Sequence, residues 1–349
     1  MPVSAQASIM DSVSTFMVAW VLGWACLKHA SSSRGLLDHP NARSLHGQPI
    51  PRTGGLAVLG GILVGVLITV PEATGTSSGL PSLLLTGLVP LALVSFQDDR
   101  AGVAARWRIL VHLLAAVSLL TAGLTPERFS LPGWISPLPG WIAVPLSLFF
   151  VVWMINLYNF MDGMDGFAGG MAVIGFSTLA GLGWTDASFA MFCLVVAAAS
   201  AGFLVHNRPP AKIFLGDTGS TTLGFLAAAC GLWGARANLF PFWVTLLVFS
   251  PFIVDATATL LRRLLRGEKV WEAHRTHYYQ RLVLLGWGHR RTVLVECALM
   301  LACAGSALLA VRLPPVGQIS LAMAWGLIYG FLMWGVGRLE RRHATVSAP

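Results

Sequence analysis

The stretch that decides the fold is ASFAMFCLVVAAASAGFLV at residues 187–205, an apolar run without a charged side chain. An α-helix rises 1.5 Å per residue, so about 20 such residues cross the roughly 30 Å hydrocarbon core of a bilayer. The run therefore predicts a membrane-spanning helix, and the architecture depends on how often such runs recur.

The composition of the whole chain shows that this run is not a single anchor. Of 349 residues, 55% are hydrophobic and 11% are charged, about half the charged share of soluble domains. A mean hydropathy of +0.71 over the full length requires several spanning segments. These values exclude an ordinary soluble enzyme. They predict an all-α, polytopic integral membrane protein that forms one unit over residues 1–349.

Apolar runs of similar length recur along the chain, and we expect about 11 transmembrane helices. The predicted spans are 10–29, 55–71, 80–96, 107–124, 141–157, 167–183, 187–205, 218–235, 239–261, 292–311 and 317–337. With the N-terminus outside the cell, this odd number of spans places the C-terminus in the cytoplasm.

The basic residues support this orientation. Of the 23 Lys and Arg residues, all except Arg128, Arg236 and Arg312 fall in segments placed inside, as the positive-inside rule requires. The net charge of +8 is thus explained by topology. It predicts contact with membrane lipid and no nucleic-acid partner.

Acidic residues gather at the predicted cytoplasmic ends of the spans. Asp98 and Asp99 follow the third span, Asp162 and Asp165 follow the fifth, and Asp217 precedes the eighth. Carboxylates beside apolar helices are costly unless they hold a cation or act on a substrate. Oxygen ligands without cysteine indicate Mg²⁺, with Mn²⁺ as an alternative, bound through a few carboxylates and substrate phosphates.

The pair Asp98-Asp99 stands in SFQDDR at 95–100. Adjacent side chains diverge by about 100° on a helix, so one carboxylate can meet a metal while the other faces a substrate or an arginine. A solvated helix end is the alternative interpretation.

A second motif, NLYNFMDGMDG at 156–166, repeats amide and acid side chains every third residue, which predicts a slanted ridge on a helix. The repeated residues are Asn156, Asn159, Asp162 and Asp165. A glycine after each Asp suits a broken helix end that lines a watery cavity. A plain turn is the alternative.

A third motif, KIFLGDTGS at 212–220, runs from Lys212 through Asp217 into the eighth span. Such a helix start leaves backbone N–H groups and a positive dipole end for phosphate, or for a carboxylate that holds its metal. Simple N-capping is the alternative.

A fourth motif, HRTHYYQR at 274–281, lies in the predicted cytoplasmic loop 262–291. His274 and His277 are spaced to share a helix face, with Arg281 one turn beyond His277. These donors suit a diphosphate. Zinc lacks a third ligand at the usual spacing, and a basic helix lying on anionic lipid is the alternative.

Together with the first loop, these motifs resemble the polyprenyl-phosphate N-acetylhexosamine-1-phosphate transferase family, glycosyltransferase family 4. The family includes the phospho-muramoyl-pentapeptide translocases of cell-wall synthesis. The resemblance covers roughly residues 36–281 and includes Asp38-His39-Pro40-Asn41 and Pro49-Ile50-Pro51-Arg52-Thr53-Gly54-Gly55.

The resemblance implies transfer of a sugar 1-phosphate from a UDP-N-acetylhexosamine to undecaprenyl phosphate, with release of UMP, on the cytoplasmic face of the bacterial inner membrane. It implies catalytic, magnesium-linked roles for Asp98, Asp99 and Asp217. The substrate-binding residues would be Arg52, Asn156, Asn159, Asp162, Asp165, Lys212, His274, Arg275, His277 and Arg281.

The fourth motif departs from the family pattern, since many members carry a tighter cluster of three histidines. Asp98-Asp99-Arg100 and the His-Arg-Thr-His form look more like members that start O-antigen or other surface-glycan synthesis. A phospho-muramoyl-pentapeptide transferase, a cation-coupled transporter and a CDP-alcohol phosphotransferase are the alternatives. The transporter requires acids near the bilayer midplane, where only Asp255 lies well inside a predicted span. A homodimer is left open.

Overall fold

A computed structural model of the chain describes residues 5–32, 36–38, 40, 45, 47–69, 80–269, 272 and 274–346. Within these residues the chain is predominantly helical. Its helices are α1 (Ala5–Ser32), α2 (Gly54–Thr69), α3 (Leu80–Ala101), α4 (Ala105–Thr121), α5 (Gly140–Phe160), α6 (Phe167–Leu182), α7 (Ala187–Asn207), α8 (Gly216–Arg236), α9 (Phe242–Val248), α10 (Ser250–Leu265), α11 (Tyr278–Leu282), α12 (Gly288–Ala310) and α13 (Pro315–Val346). A π-helical turn, Val283–Trp287, joins α11 to α12.

Helix length and composition identify a polytopic membrane protein. Among the described residues, five helices are long and apolar enough to cross a bilayer, and a bent pair would make a sixth. Helices α2 and α6 are apolar but shorter. Each of the predicted spans contains helix, although residues 70–71 of the second lie outside the described residues, as do His39 and Asn41 of the first loop. The number 11 and the orientation of the termini stay predictions.

The ninth predicted span is wrong as a continuous helix. Helices α9 and α10 meet at an angle of 80° around Phe249. Pro251 stands in the first turn of α10, where its missing N–H costs nothing, whereas inside a continuous helix it would remove a hydrogen bond and clash with the preceding turn. The sequence therefore starts a new helix at this point.

Two short sheets correct the expectation of an all-α chain. Strand β1 (Leu37–Asp38) pairs with β2 (Ile50–Pro51), and β3 (Arg128–Leu131) forms a hairpin with β4 (Trp134–Pro137). The hairpin turn contains Pro132 and Gly133, the latter at a φ of +76°, and this Pro-Gly order favours a type II turn. The β1–β2 pair closes the first loop on itself.

Helix α8 is the centre of the bundle and packs against α2, α3 and α5. It is buried along nearly its whole length. Its approach to α2 requires glycine, because a Cβ on Gly55 would lie 2.4 Å from the backbone nitrogen of Gly219. This contact fixes the start of α8 against the start of α2.

Backbone hydrogen bonds then tie the first loop to the segment before α8. The N–H of Phe214 donates to Pro51 O at 2.7 Å, and the N–H of Gly54 donates to Phe214 O at 2.9 Å. The starts of α2 and α8 therefore lie together. The ends of α3 and α5 lie at the same end of the bundle, since Asp99 and Asn159 contact the start of α8.

Candidate functional site

A cavity of about 290 Å³ opens where these helix ends meet. The predicted site residues in its wall are Arg52, Asp99, Asn159, Asp162, Asp165, Asp217 and His274. Four further polar residues, not among the predicted site residues, also line it and are Asp38, Asn207, Gln280 and His289. The wall therefore joins segments that are as much as 250 residues apart in the sequence.

Asp99 caps the first turn of α8 from the neighbouring helix α3. Its Oδ1 accepts the N–H of Asp217 at 2.9 Å, and its Oδ2 accepts the N–H of Thr218 at 2.9 Å and the Thr218 hydroxyl at 2.7 Å. Gly216 permits this approach, since a Cβ there would lie 2.9 Å from Asp99 Oδ2. Of the two groups that the sequence allowed at these N–H donors, a phosphate or a carboxylate, the structure has a carboxylate, that of Asp99, at Asp217 and Thr218.

Asp98 points in another direction, as expected for neighbours on a helix. Its Oδ1 accepts the N–H of Val103 at 2.6 Å, and its Oδ2 accepts Nη1 of Arg108 at 2.9 Å. The Asp98 side chain lies beside Asp217 but does not line the cavity. Asp98 thus pairs with an arginine at the edge of the site.

Asp217 is the most open of the three predicted catalytic carboxylates. Its side chain is 34% exposed, against 9% for Asp98. Its Oδ1 accepts Nδ2 of Asn159 at 2.9 Å, while its Oδ2 lies 3.9 Å from Nη1 of Arg108, beyond a hydrogen bond. One oxygen of Asp217 is therefore oriented by Asn159, and the carboxyl group also lies beside that of Asp98.

The second motif forms a broken helix end, as predicted. Helix α5 ends at Phe160 and α6 begins at Phe167 after a turn in which Gly166 has a φ of +74°. The N–H of Gly166 donates to Oδ1 of Asn207 at 2.9 Å, which anchors the turn to α7. This geometry places Asp162 and Asp165 in the cavity wall.

The carboxyl group of Asp162 lies in this turn, outside the predicted spans. Burial raises its pKa well above the ordinary value, and the negative charges of Asp217 and Asp99 raise the pKa further. The N–H of Gly216 donates to it and opposes this shift. A bound cation would relieve such crowding of like charges in one cavity.

Asp165 pairs with His289, which the sequence analysis missed. Its Oδ1 lies 3.0 Å from Nδ1 of His289, and its Oδ2 accepts the N–H of Ala211 at 3.0 Å. The other ring nitrogen of His289 lies 3.3 Å from Leu45 O in the first loop. In the sequence, His289 stands just before the tenth predicted span, within the basic loop 262–291, and no motif includes it.

Arg52 belongs to the wall through the first loop. Its guanidinium forms an ion pair with Asp38 across the end of the β1–β2 sheet. Both side chains line the cavity, and that of Arg52 is 33% exposed. Arg52 therefore offers a cationic group that remains accessible from the cavity.

The fourth motif does not form the predicted helical face. Residues 274–276 are irregular, and His277 is the N-cap of α11. His277 is 2% exposed, with Nδ1 3.3 Å from Oδ1 of Asp255. Arg281 is also buried, paired with Glu340 of α13 and stacked over a tyrosine ring. Of the four predicted donors in this motif, only His274 lines the cavity.

Three further predicted site residues lie away from the cavity wall. Asn156 faces α4, where its Nδ2 lies 3.2 Å from Nδ1 of His112. Lys212 and Arg275 are exposed and do not line the cavity. Seven of the predicted residues thus line the cavity together, and six do not, namely Asp98, Asn156, Lys212, Arg275, His277 and Arg281.

Comparison with known proteins decides the family. Residues 81–235 match the model for glycosyl transferase family 4. A probable undecaprenyl-phosphate N-acetylglucosaminyl 1-phosphate transferase of Bacillus subtilis strain 168 is 33% identical over 275 residues, covering 77% of this chain and 75% of that protein. The chain belongs to glycosyl transferase family 4.

Two other relatives represent the two branches considered from the sequence. A phospho-N-acetylmuramoyl-pentapeptide-transferase of Geobacillus kaustophilus is 32% identical over 262 residues, covering 70% of this chain and 78% of that protein. An undecaprenyl-phosphate alpha-N-acetylglucosaminyl 1-phosphate transferase of Escherichia coli O157:H7 is 26% identical over 352 residues, covering 95% and 93%. Membership of this family of transferases sets the transporter and CDP-alcohol alternatives aside.

The charges of this family 4 transferase suit a divalent cation between anionic groups. Among the described residues, no three His, Cys, Asp or Glu side chains are grouped to hold a metal by themselves. Mg²⁺ is usually held by one or two carboxylates together with substrate phosphates, so the carboxylates of Asp217 and Asp162, which line the cavity, fit such an ion. Asp99 fits less well, since both of its oxygens serve α8.

Proposed function

We propose that this chain transfers an N-acetylhexosamine 1-phosphate from a UDP-sugar to undecaprenyl phosphate, releasing UMP and leaving a lipid-linked diphosphate sugar. The relatives from Bacillus subtilis and Escherichia coli are named as N-acetylglucosaminyl 1-phosphate transferases that use undecaprenyl phosphate. UDP-N-acetylglucosamine is therefore the donor to test first. The product would start O-antigen or another surface glycan.

The observation that carries this proposal is the charge of the cavity. Six carboxylates line or border it among the described residues, and the nearby basic groups are two guanidiniums and two imidazoles. The carboxylates are Asp38, Asp98, Asp99, Asp162, Asp165 and Asp217. Two anionic substrates cannot meet in such a cavity unless a cation compensates the charge. We propose Mg²⁺, with Mn²⁺ as a substitute, as that cation.

In this proposal the residues of the cavity have three roles, which are metal binding, phosphate binding and positioning. Asp217, oriented by Asn159, and Asp162 hold the metal, which when bound neutralises charge on the diphosphate and on the departing UMP. Arg52 and His274 provide donors for phosphoryl oxygens. Asp99 positions the helix start that carries Asp217.

The lipid acceptor requires little activation. A phosphate monoester has its second pKa near 6, so at pH 7 it is already largely dianionic and can attack without a strong base. Asp98, paired with Arg108, would then orient that arginine toward the phosphates. The cavity lies at one end of the helices, so the polyprenyl chain can stay in the bilayer. We place this end on the cytoplasmic face of the bacterial inner membrane, following the distribution of basic residues.

The test uses the full-length protein in lipid nanodiscs with undecaprenyl phosphate and Mg²⁺. We expect UMP release from UDP-N-acetylglucosamine and exchange of radiolabelled UMP into that donor, with both lost in Asp217→Asn. Faster turnover of UDP-muramoyl pentapeptide would assign the chain to the other branch. The absence of exchange with either donor would overturn the proposal.

A further inference from the structure

Asp255 is a buried carboxylate of α10 that the proposed chemistry does not use. It is 8% exposed and lies inside the ninth predicted span. A carboxylate in this environment is costly unless its oxygens are fully hydrogen-bonded, so the identity of its donors matters. Three of its four donors come from the cytoplasmic loop and not from α10.

These donors belong to the start of α11. Oδ1 of Asp255 accepts the N–H of Tyr278 at 2.9 Å and Nδ1 of His277 at 3.3 Å, and Oδ2 accepts the N–H of Tyr279 at 3.0 Å. The fourth donor is the Thr259 hydroxyl, at 3.1 Å from Oδ1. Since a carboxylate only accepts, Nδ1 of His277 carries the proton. Asp255 thus caps α11 from another helix and fixes the His277 ring.

The segment held by Asp255 reaches the cavity through Tyr279. The Tyr279 hydroxyl donates to Phe160 O at 3.0 Å, at the end of α5. It also lies so close to the next turn that a Cβ on Gly163 would be 2.3 Å from it. The Asp162 turn is therefore packed against Tyr279.

The flanking residues of the same segment enter the cavity wall. Gln280 lines the cavity, and its Oε1 accepts the N–H of His277 at 3.2 Å. His274 lines the cavity as well, with its ring 4.8 Å from that of His277 between centroids. Displacing the start of α11 would therefore move His274 and Gln280 in the cavity wall.

We propose that Asp255 is a positioning residue of the active site, which holds the segment 274–280 against the Asp162 turn. This inference rests on the proposed function, because its effect is expressed in the use of the UDP-sugar. Asp255 touches neither substrate. It acts through Tyr279 and His277, which set the places of Asp162, Gln280 and His274.

The decisive variant is Asp255→Asn, which keeps the shape but replaces one acceptor oxygen by an N–H donor. The new amide N–H would point at a backbone N–H of α11, so one of the two backbone hydrogen bonds that cap α11 is lost. We expect kcat/KM for UDP-N-acetylglucosamine to fall on the order of a hundredfold, because a small displacement of the groups that position a substrate can cost this much. The KM for undecaprenyl phosphate should not change, and Asp255→Glu should recover part of the loss because both oxygens return.

Thr259→Val is the matched control, since it removes the one donor that does not belong to the loop. This variant should leave kcat/KM for the UDP-sugar unchanged. Tyr279→Phe removes only the hydroxyl that reaches Phe160 O, and it should raise the KM for the UDP-sugar with only a small fall in the melting temperature, because one buried hydrogen bond is lost. Should Asp255→Asn fail to fold, Tyr279→Phe still tests the contact between α11 and the Asp162 turn.

The experiment is a double-mutant cycle on kcat/KM for the UDP-sugar with Asp255→Asn and Tyr279→Phe, each checked for its melting temperature. We expect the double variant to lose no more kcat/KM than the single variant with the larger loss, because both break the contact between α11 and the Asp162 turn. Additive losses, or unchanged donor kinetics in both folded variants, would overturn the inference. A wild type without turnover would instead reject the proposed function.

Discussion

Two regions in and beside the cavity wall differ in whether the partners of their side chains belong to sequence motifs. In the acidic half, formed by Asp98, Asp99, Asp162 and Asp217, contacts run largely between motifs that are visible in the sequence, as when Asp99 caps the helix of Asp217. In the loop half, residues 274–281, the main contacts go to Asp255 and Glu340, which belong to no motif. The contacts of a motif can thus be predicted from the sequence only when the residues that it contacts belong to recognisable motifs as well.

The largest effect is expected from Asp217→Asn in the acidic half. The variant keeps the shape and loses the charge that would hold the cation. Losing one preorganised electrostatic contact should lower turnover on the order of a hundredfold or more. The melting temperature should stay near that of the wild type, because Asp217 is partly exposed. A near-normal rate of UMP release would show that Asp217 is only part of a helix start.

Asp99→Ala should combine a loss of activity with a loss of stability. It leaves the N–H groups of Asp217 and Thr218 without an acceptor, which costs about 1–3 kcal/mol for each buried group that stays unpaired. Turnover and melting temperature should both fall, in contrast to Asp217→Asn. A variant that loses activity at full stability would place Asp99 in the chemistry instead.

A smaller effect is expected in the loop half, from reversing the ion pair of Arg281 and Glu340. Arg281→Glu and Glu340→Arg should each lower kcat/KM for the UDP-sugar about tenfold, because α11 loses its contact with α13. The double reversal should restore part of the rate. Direct binding of a phosphate by Arg281 predicts the opposite, that the double reversal stays as poor as Arg281→Glu.

The smallest effects are expected from Lys212→Ala and Arg275→Ala. Both side chains are exposed and lie outside the cavity wall. Each substitution should change turnover by about twofold or less, as is usual for surface positions. A larger change in the KM for the UDP-sugar would extend the site beyond the cavity.

The membrane fold was largely predictable because hydropathy acts over each segment separately. Helix is present in each predicted span, and the broken end between Phe160 and Phe167 followed from the glycines after Asp162 and Asp165. The bend at Phe249 was not predicted, although Pro251 provided a local signal for it. The Pro132-Gly133 turn was a similar signal for the hairpin.

The candidate site was predictable only in part, for a different reason. Which side chains share a cavity depends on contacts between distant segments, such as that of His289 with Asp165. The spacing of His274 and His277 would favour one helix face, but the carboxylate of Asp255 accepts the backbone N–H groups that begin α11. The helix therefore starts after His277, and spacing alone could not reveal this.

We propose that the acidic half needs a cation before the UDP-sugar can bind, and calorimetric titration of UDP-N-acetylglucosamine tests this directly. The purified protein in nanodiscs would be titrated with and without Mg²⁺, beside Asp217→Asn and Lys212→Ala. We expect that wild type and Lys212→Ala bind the UDP-sugar only with Mg²⁺, and that Asp217→Asn does not bind it more tightly when Mg²⁺ is added. Equally tight binding by the wild type in EDTA would contradict it.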